Sequence, residues 1–235
     1  MNEEVLVLFS GGKDSFLLTL LLIEKGYNVN LVTFENICEI KSKNAIKQAK
    51  RIQNKYGKIK VKIIGIQKTD AIFREFIKLY YNTKPSQNIE KYGDLPISQF
   101  NCLSCRLSMY VMSIIIAKQN GIHEIADGAR ISQKFAIEQE PLLKCFTELF
   151  EKNGLNIVFP LKEMKDDFEL KNEILIRGFT PKTLEPQCLL GMPLENDLDE
   201  ETINATEKCF KRLLLKKSNE LIEKYKNMNL SGEYI

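Results

Sequence analysis

The sequence predicts an α/β fold in which a mostly parallel sheet carries helices on both faces. Short apolar segments alternate with longer amphipathic ones over the first two thirds of the chain, which is typical of consecutive strand–helix units. The first predicted strand is a continuous apolar run, which suits a buried parallel strand, and the second is mostly apolar, whereas the third mixes apolar residues with polar neighbours. A glycine pair, Gly11 and Gly12, separates the first strand from the first helix. The length of 235 residues suits one full-sized domain with a small appendage.

The elements are predicted in order from their periodicity and their stop signals. Strands are expected at residues 5–9, 29–34, 60–66, 122–126 and 156–159. Helices are expected at residues 15–25, 44–56, 70–81, 103–120 and 140–152. The first, second and fourth helices end at Gly26, Gly57 and Gly121, and Asp70 is expected to cap the third. A long loop is expected over residues 82–100, and long loops in compact domains are often functional.

The C-terminal part of the chain has a different pattern. Residues 194–201 are acidic, and residues 201–227 are expected to form one long amphipathic helix. We therefore divide the chain into a nucleotide-binding domain, residues 1–192, and a linker with a C-terminal helix, residues 193–235. This second part is the helical extension of the predicted fold.

Charge and composition exclude some classes of protein. Lys and Arg number 34 against 31 Asp and Glu, and the resulting net charge of +3 does not by itself indicate a nucleic-acid partner. The single histidine, His123, excludes any site that needs two histidines and is expected to be structural. We find no targeting signal and no apolar run near the ~20 residues that span a bilayer, so we expect a cytoplasmic protein without membrane contact.

A basic stretch over residues 41–68 interrupts this near-neutral balance. It is either a solvated surface or a phosphate-binding face for RNA, and tRNA is the expected ligand in the second case. Its basic residues, without an intervening acid, are Lys41, Lys43, Lys47, Lys50, Arg51, Lys55, Lys58, Lys60, Lys62 and Lys68.

The strongest local motif lies between the first strand and the first helix. Its six residues are Ser10, Gly11, Gly12, Lys13, Asp14 and Ser15. Glycines let the backbone approach a ligand closely, and the amides at a helix N-terminus favour an anion. Lys13 adds positive charge and the serines add hydroxyl donors, while Asp14 would hold Mg²⁺ or order the loop. The spacing is not that of a Walker A loop.

This hexapeptide resembles the signature of the PP-loop family, the ATP pyrophosphatases. The resemblance implies a doubly wound sheet that binds ATP and Mg²⁺ at the carboxyl ends of its strands, and a reaction that adenylates a substrate and releases pyrophosphate. It also implies that adenine lies against Thr33 and Phe34. The family's acidic residues near the fourth strand correspond here to Asp127, followed by Gly128. The segment Pro160-Leu161, with Lys165 and Lys171 beyond it, resembles the family's Pro-Leu segment and the helix after it.

The six cysteines form a second group of candidates. Cys102 and Cys105 form a CxxC motif, which is predicted at a helix N-terminus, where the helix dipole and the nearby Arg106 would lower the thiol pKa values. Cys188 lies where a chain returning over the sheet edge would meet them. Cys145 and Cys209 are expected to pack in the core, and no role is assigned to Cys38.

This arrangement resembles the PP-loop sulfur transferases that thiolate tRNA, of the 2-thiocytidine and 2-thiouridine synthetase type. The resemblance implies that Cys102, Cys105 and Cys188 hold a [4Fe-4S] cluster whose fourth iron has no protein ligand. Three alternatives stay open. The cysteines could bind structural zinc with Cys38 or His123, act without metal as persulfide-carrying and resolving thiols, or combine a redox-active CxxC with a buried Cys188.

The sequence therefore predicts an ATP-dependent sulfurtransferase that adenylates a substrate, most simply a tRNA base, and inserts sulfur. The catalytic residues would be Asp14, Cys102, Cys105 and Cys188. The sulfur donor would be a donor protein or free sulfide, and a homodimer is compatible with the sequence. The alternatives are a PP-loop enzyme acting on a small molecule, by sulfur transfer or by amide or nitrile formation, and a non-catalytic nucleotide-binding module with a structural metal.

Overall fold

A computed structural model describes residues 3–37, 39–40, 43–82, 95–182, 187–188 and 198–227. Within these residues a five-stranded parallel sheet has the order β4-β2-β1-β5-β6. Its strands are β1 (Glu4–Leu8), β2 (Asn28–Glu35), β4 (Val61–Lys68), β5 (Glu124–Ala126) and β6 (Asn156–Val158). A separate antiparallel pair joins β3 (Glu39–Ile40) to β7 (Gln187–Cys188). The predicted α/β class and all five predicted sheet strands are confirmed.

The helices of the described residues occupy the predicted segments, with different bounds at some ends. They are α1 (Lys13–Glu24), α2 (Lys43–Tyr56), α3 (Asp70–Tyr81), α4 (Ile97–Asn120), α5 (Glu140–Lys152), α6 (Asp167–Ile176), α7 (Glu200–Cys209) and α8 (Leu215–Tyr225). Gly121 ends α4 in the left-handed region at φ 66°. The N-cap of α3 is Thr69 and not Asp70, which lies inside the first turn.

Apolar side chains cover both faces of the sheet, so the sheet is doubly wound. On one face, alternate residues of β1 and β2 such as Leu6 and Val32 pack with α3, α4, α5 and the C-terminal helices. On the other face, Val5, Val7 and Leu31 pack with α1, α2 and α6. The strand residues alternate between two cores because successive side chains of a strand point to opposite faces.

The strand order places a ligand crevice beside β1. From β1 the chain first adds β2 and β4 on one side, then crosses over and adds β5 and β6 on the other. In open parallel sheets, ligands bind outside the carboxyl ends of the strands at the point where the strand order reverses. The segments that follow β1, β2 and β5 therefore bound the expected site.

The C-terminal helices pack into the core of the main fold. Cys209, Phe210, Leu214 and Leu221 are buried in the same cluster as α4 and α5. The single helix predicted over residues 201–227 is interrupted by a π-helical segment, Phe210–Leu214, between α7 and α8. The predicted domain boundary after residue 192 lies outside the described residues, as does most of the loop predicted over residues 82–100.

One described helix, α4, is long and apolar enough to cross a membrane by length and composition. Within its most apolar 18-residue window, 72% of the residues are buried inside the protein. Its buried side chains, Leu107 and Ile115 among them, belong to the core on one face of the sheet. A helix buried in a protein core can have the same length and apolar composition, so these two properties of α4 are weak evidence for a membrane span.

Candidate active site

The phosphate loop is ordered by hydrogen bonds among its own residues. The Ser10 and Ser15 hydroxyl oxygens are 3.1 Å apart, and the Gly12 amide donates to Ser10 Oγ at 3.2 Å. Gly11 has φ +81°, and a Cβ atom there would lie 2.6 Å from Ala45 Cα at the start of α2. Glycine is required at this position by both the backbone conformation and the close approach. The first turn of α1 thus presents its amides at the carboxyl end of β1, as predicted.

Charged side chains from three segments meet at this loop and form what we term the loop ion network: Lys13, Asp14, Arg130 and Asp167. Lys13 Nζ lies 2.5 Å from Asp167 Oδ2, and Arg130 lies 2.7 Å from Asp167 Oδ1. Arg130 Nε also lies 2.5 Å from Asp14 Oδ1. Hydrogen bonds from Lys13 and then Arg130 lower the pKa of Asp167 to about 2.

Asp14, the predicted Mg²⁺ ligand, has a protein partner at each of its carboxylate oxygens. Arg130 pairs with Oδ1, and Gln133 Nε2 donates to Oδ2 at 3.0 Å. A Mg²⁺ ion could coordinate the Asp14 carboxylate only if it shared that carboxylate with the Arg130 guanidinium or displaced the guanidinium. The arrangement therefore fits the other predicted role, in which Asp14 orders the loop.

The segment after β5 touches the phosphate loop directly. A Cβ atom at Gly128 would lie 3.2 Å from the carbonyl carbon of Asp14 and from the Ser15 nitrogen. Such a contact is tighter than a side chain normally accepts, so glycine allows the two segments to pack. Gly128 therefore lies at the predicted site, although its contacts are with the loop backbone.

Asp127 belongs to a buried set that we term the Arg106 cluster: Arg106, Tyr110, Asp127 and Glu138. Arg106 pairs with Asp127 at 2.6 Å and with Glu138 at 3.1 Å, and the Tyr110 hydroxyl donates to Asp127 at 2.7 Å. Burial raises the pKa of Glu138 to about 7 against the opposing effect of Arg106. The carboxylates of Asp127 and Glu138 thus share the guanidinium of Arg106. Because unpaired buried charges are strongly destabilising, the cluster is stable only while all three groups are present.

The CxxC cysteines do not lie at a helix N-terminus. Helix α4 begins at Ile97, so Cys102 and Cys105 lie beyond its first turn. Burial raises the pKa of the Cys102 thiol to about 12, against the opposing charge of Arg106. The prediction of a lowered pKa is wrong for Cys102, because the helix dipole acts mainly on the first turn and burial disfavours the thiolate.

Helix α4 nevertheless carries its cysteines to the carboxyl edge of the sheet. Asn36, the residue after β2, donates from Nδ2 to Cys105 Sγ at 3.1 Å. One residue further along α4, Arg106 contacts Asp127, the residue after β5. Since β1 lies between β2 and β5, this part of α4 crosses above the strand that ends in the phosphate loop.

Cys188 returns to the same edge, as predicted. In β7 it pairs with Glu39 of β3, which follows β2, and its side chain is exposed. It is near enough to Cys102 to contribute electrostatically to the raised pKa of that thiol. The described residues contain no group of three or more His, Cys, Asp or Glu side chains arranged to hold a metal ion. The predicted three-cysteine ligand set is therefore not assembled there, and Cys38 lies outside the described residues.

The predicted adenine-binding residues, Thr33 and Phe34, are buried within β2, near its carboxyl end. Thr33 donates its hydroxyl to the Phe9 carbonyl oxygen at 2.8 Å, and Phe34 packs in the core with α3 and α4. In the segment resembling the Pro-Leu motif, Leu161 is buried, whereas Lys165 and Lys171 are exposed.

The remaining cysteines and the histidine occupy structural positions. Cys145 and Cys209 are buried in the core, which confirms their predicted packing role. His123 precedes β5 at its amino end, and its carbonyl accepts a hydrogen bond from Asn156. That end of the strand is opposite the phosphate loop.

The basic stretch is divided between structural and exposed residues. Arg51 donates to the Thr180 carbonyl and lies over the Phe179 ring, Lys55 bonds to the Arg177 carbonyl, and Lys60 bonds to the Gly26 carbonyl. Other members are exposed on α2, in the loop after it and on β4: Lys43, Lys47, Lys50, Lys58, Lys62 and Lys68. Lys41 lies outside the described residues.

Sequence reasoning missed several residues that the fold brings to the site. Arg130, Gln133 and Asp167 hold the phosphate loop, and Asn36 holds Cys105. For Asn36 and Arg130, the sequence did contain a signal of their position. Asn36 and the segment of Arg130 follow β2 and β5 directly, and residues after parallel strands gather at the carboxyl edge. Asp167 gave no such signal, since it begins a helix far along the chain.

A glycine-rich loop at the carboxyl end of β1, beside the strand-order reversal of a doubly wound sheet, defines a nucleotide-binding α/β protein. A family model described as Thiamine biosynthesis protein (ThiI) matches residues 1–137. The chain therefore belongs to the ThiI family, whose PP-loop members are ATP-using enzymes. No curated protein matches the chain in sequence.

Solved structures with a similar fold include a 4-thiouridine synthetase in complex with RNA and bound ATP, at 16% identity and a TM-score of 0.59. That likeness covers 96% of this chain but 54% of the synthetase chain, and it shows the fold. A predicted subunit of tRNA methyltransferase from Methanocaldococcus jannaschii has 22% identity and a TM-score of 0.46, covering 72% of each chain. NMN synthetase from Francisella tularensis has 12% identity and a TM-score of 0.45, covering 100% of this chain and 87% of its own.

Proposed function

We propose that this chain is an ATP-dependent sulfur transferase that adenylates a tRNA base and replaces its oxygen with sulfur. What supports the proposal is one juxtaposition. Helix α4 carries Cys102 and Cys105 across the strand that ends in the phosphate loop. An activating nucleotide and sulfur-handling thiols would thereby share the carboxyl edge of the sheet. The 4-thiouridine synthetase that shares the fold was solved with RNA and ATP, which supports an RNA acceptor.

The first step would activate the acceptor. The loop amides and Lys13 would bind the phosphates of ATP, and the carbonyl oxygen of the base would attack the α-phosphate. Pyrophosphate leaves, and the base oxygen is now bonded to AMP, which is a good leaving group. Lys13 and the loop amides stabilise the negative charge on the departing phosphates. Mg²⁺, when bound with ATP, would neutralise further phosphate charge.

The second step would insert sulfur. A nucleophilic sulfur atom attacks the activated carbon, the carbon–oxygen bond breaks, and AMP leaves with the original oxygen. When a donor protein supplies persulfide-level sulfur, Cys105 is the best-placed carrier, because the Asn36 amide points a hydrogen-bond donor at its sulfur and would stabilise negative charge there. The outer sulfur of the persulfide attacks the carbon, and the thiol of Cys102 then breaks the sulfur–sulfur bond. The thiolated base is released, and a Cys102–Cys105 disulfide remains for reduction by an external thiol. Free sulfide would instead attack the activated carbon directly.

The finer form of the proposal is that Cys102, Cys105 and Cys188 hold a [4Fe-4S] cluster. Support comes from the CxxC spacing and from the position of Cys188 near Cys102. Against it, the described residues contain no ready group of three ligands. Persulfide chemistry on the same thiols needs no such group.

We further propose that tRNA contacts the exposed lysines of α2 and its following loop. Lys43, Lys47 and Lys58 would neutralise phosphates without reading sequence. Binding would then weaken steeply with salt. A cytoplasmic location and a homodimer complete the proposal.

The decisive experiment combines purified protein, ATP, a sulfide source and unmodified tRNA. We expect ATP-dependent pyrophosphate release and one thiolated nucleoside in the digested tRNA, measured by mass spectrometry. Pyrophosphate release without a thiolated nucleoside would favour a small-molecule acceptor, and ATP binding without release would favour a non-catalytic nucleotide-binding module. Iron and sulfide analysis after anaerobic purification separates the cysteine chemistries: stoichiometric zinc without iron rules out the cluster.

A further inference from the structure

We propose that Asp167 is a built-in competitor of the ATP phosphates, and that Arg130, which it holds, is a second phosphate-binding cation supplied from outside the loop. The inference deepens the proposed function and rests on ATP being the ligand of this loop. It assigns roles to two residues that the phosphate-loop motif does not contain.

The Asp167 carboxylate bridges the two cations that face the loop. Its Oδ2 lies 2.5 Å from Lys13 Nζ, and its Oδ1 lies 2.7 Å from a terminal nitrogen of Arg130. Carboxylate and phosphate oxygens are the acceptors that lysine and arginine bind in the same way. Asp167 thus engages Lys13, the cation that the loop offers to a phosphate.

Arg130 is fixed in place, as a preorganised ligand-binding group should be. Its side chain is 5% exposed, and Asp14 holds its Nε at 2.5 Å. Gln133 in turn fixes the other oxygen of Asp14. When Asp167 leaves, Arg130 therefore keeps its position at the loop and gains a terminal nitrogen for a new anion.

The charges of the loop ion network explain why the exchange favours ATP. With Asp167 in place, Lys13 and Arg130 are balanced by the two carboxylates of Asp14 and Asp167. Without Asp167 the remaining three side chains carry one net positive charge beside the loop amides. A triphosphate would meet an attractive site only after this carboxylate has withdrawn.

Asp167 is able to withdraw without disrupting its helix. Its side chain is 48% exposed, in contrast to Arg130. The helix is capped by a different residue, since the Phe168 amide donates to Asp166. The low pKa of Asp167, about 2 because of Lys13 and then Arg130, keeps it charged near neutral pH, so the competition persists there.

The test is ATP titration by calorimetry in metal-free buffer, so that Mg²⁺ makes no contribution to binding. We expect Asp167→Asn to bind ATP about 3- to 10-fold more tightly than the wild type, as expected when partly exposed ion pairs no longer compete. Inorganic triphosphate should show the same change, since the competition involves only phosphate. The matched control is Glu169→Gln, which removes one negative charge from an exposed position on the same helix and should leave the affinity unchanged.

Arginine variants test the second half of the proposal. Arg130→Gln should weaken ATP binding about tenfold, and Arg130→Lys should weaken it less. Thermal unfolding of each variant verifies that it is folded. If Asp167→Asn binds ATP no more tightly than the wild type, the competitor role is wrong. Tighter binding by this variant, together with no pyrophosphate release by the wild type when Mg²⁺ and unmodified tRNA are supplied, would leave the inference standing and overturn the proposed function instead.

Discussion

The two halves of the candidate site, the phosphate loop and the cysteine region, are built in opposite ways. The loop half consists of six contiguous residues together with Asp167 and Arg130, which form ion pairs with the Lys13 and Asp14 side chains of the loop. The cysteine half is assembled from α4, the end of β2 and residue 188, and burial raises the pKa of Cys102 to about 12. The loop is preorganised for an anion, whereas the half-buried Cys102 thiol, with its raised pKa, resists becoming one. Its thiolate would need compensation from a ligand, a metal or a bonded sulfur atom.

The largest expected effect separates the two halves by activity. With a persulfide donor as the sulfur source, Cys105→Ser should lower sulfur transfer by at least about 100-fold, because a serine hydroxyl cannot carry sulfur, although it still accepts the Asn36 hydrogen bond. Pyrophosphate release should stay within about twofold, since the loop is untouched. Lys13→Ala should lower both activities. Equal losses of both activities in Cys105→Ser would show that the halves act as one unit.

The next largest effect is a loss of stability, and it concerns the charged side chains of the Arg106 cluster. Arg106→Leu should destabilise the fold by about 3–5 kcal/mol, because Asp127 and Glu138 lose their shared partner in a buried place. Urea unfolding measures the change. The control is Lys211→Leu, which breaks an exposed pair with Glu207 and should shift the midpoint far less. Similar midpoints for the two variants would mean that the Arg106 cluster is not structural.

Alanine substitutions at two separate glycines test how the phosphate loop packs against α2. Gly11→Ala and Gly57→Ala both place alanine at positive φ, +81° and +87°, which costs about 1–2 kcal/mol each. Only at Gly11 would the new Cβ meet backbone, at 2.6 Å from Ala45 Cα, for a further cost of about 1–3 kcal/mol. Thermal unfolding of both variants isolates this difference. Equal losses would indicate that the loop does not depend on its contact with α2.

The smallest effect is a pH dependence expected of the cysteine half alone. The folded pKa of Glu138, about 7, lies above its ordinary value of 4.5, so the folded state binds its proton more tightly. Its contribution to stability is complete below pH 4.5 and is lost as pH rises through about 7, on the order of 1–3 kcal/mol. Glu138→Gln should flatten this slope in urea titrations at several pH values.

The loop half supplies the control for that slope. Asp167→Asn should leave it unchanged, because the folded pKa of Asp167, about 2, and its ordinary value of 3.8 both lie below this window. An Asp167→Asn variant that also lost the slope between pH 4.5 and 7 would show that the two halves titrate together.

The fold was largely predictable because its signals are local. Buried parallel strands have continuous apolar runs, helices have their own period, and glycine ends α4 at Gly121 in a left-handed conformation. The errors lie where a boundary depends on distant packing. Helix α4 starts at Ile97 and not at residue 103, and its leading turn includes Phe100, which is buried in the core.

The sequence by itself determined the phosphate loop, since six adjacent residues contain the whole geometry of an anion-binding helix start. Only the tertiary structure decided which charges face that loop, because Arg130 and Asp167 come from segments far along the chain. It also decided the state of the cysteines. The sequence indicated an activated CxxC, but the pKa of a thiol depends on how deeply the folded chain buries it, and no spacing of residues records that depth.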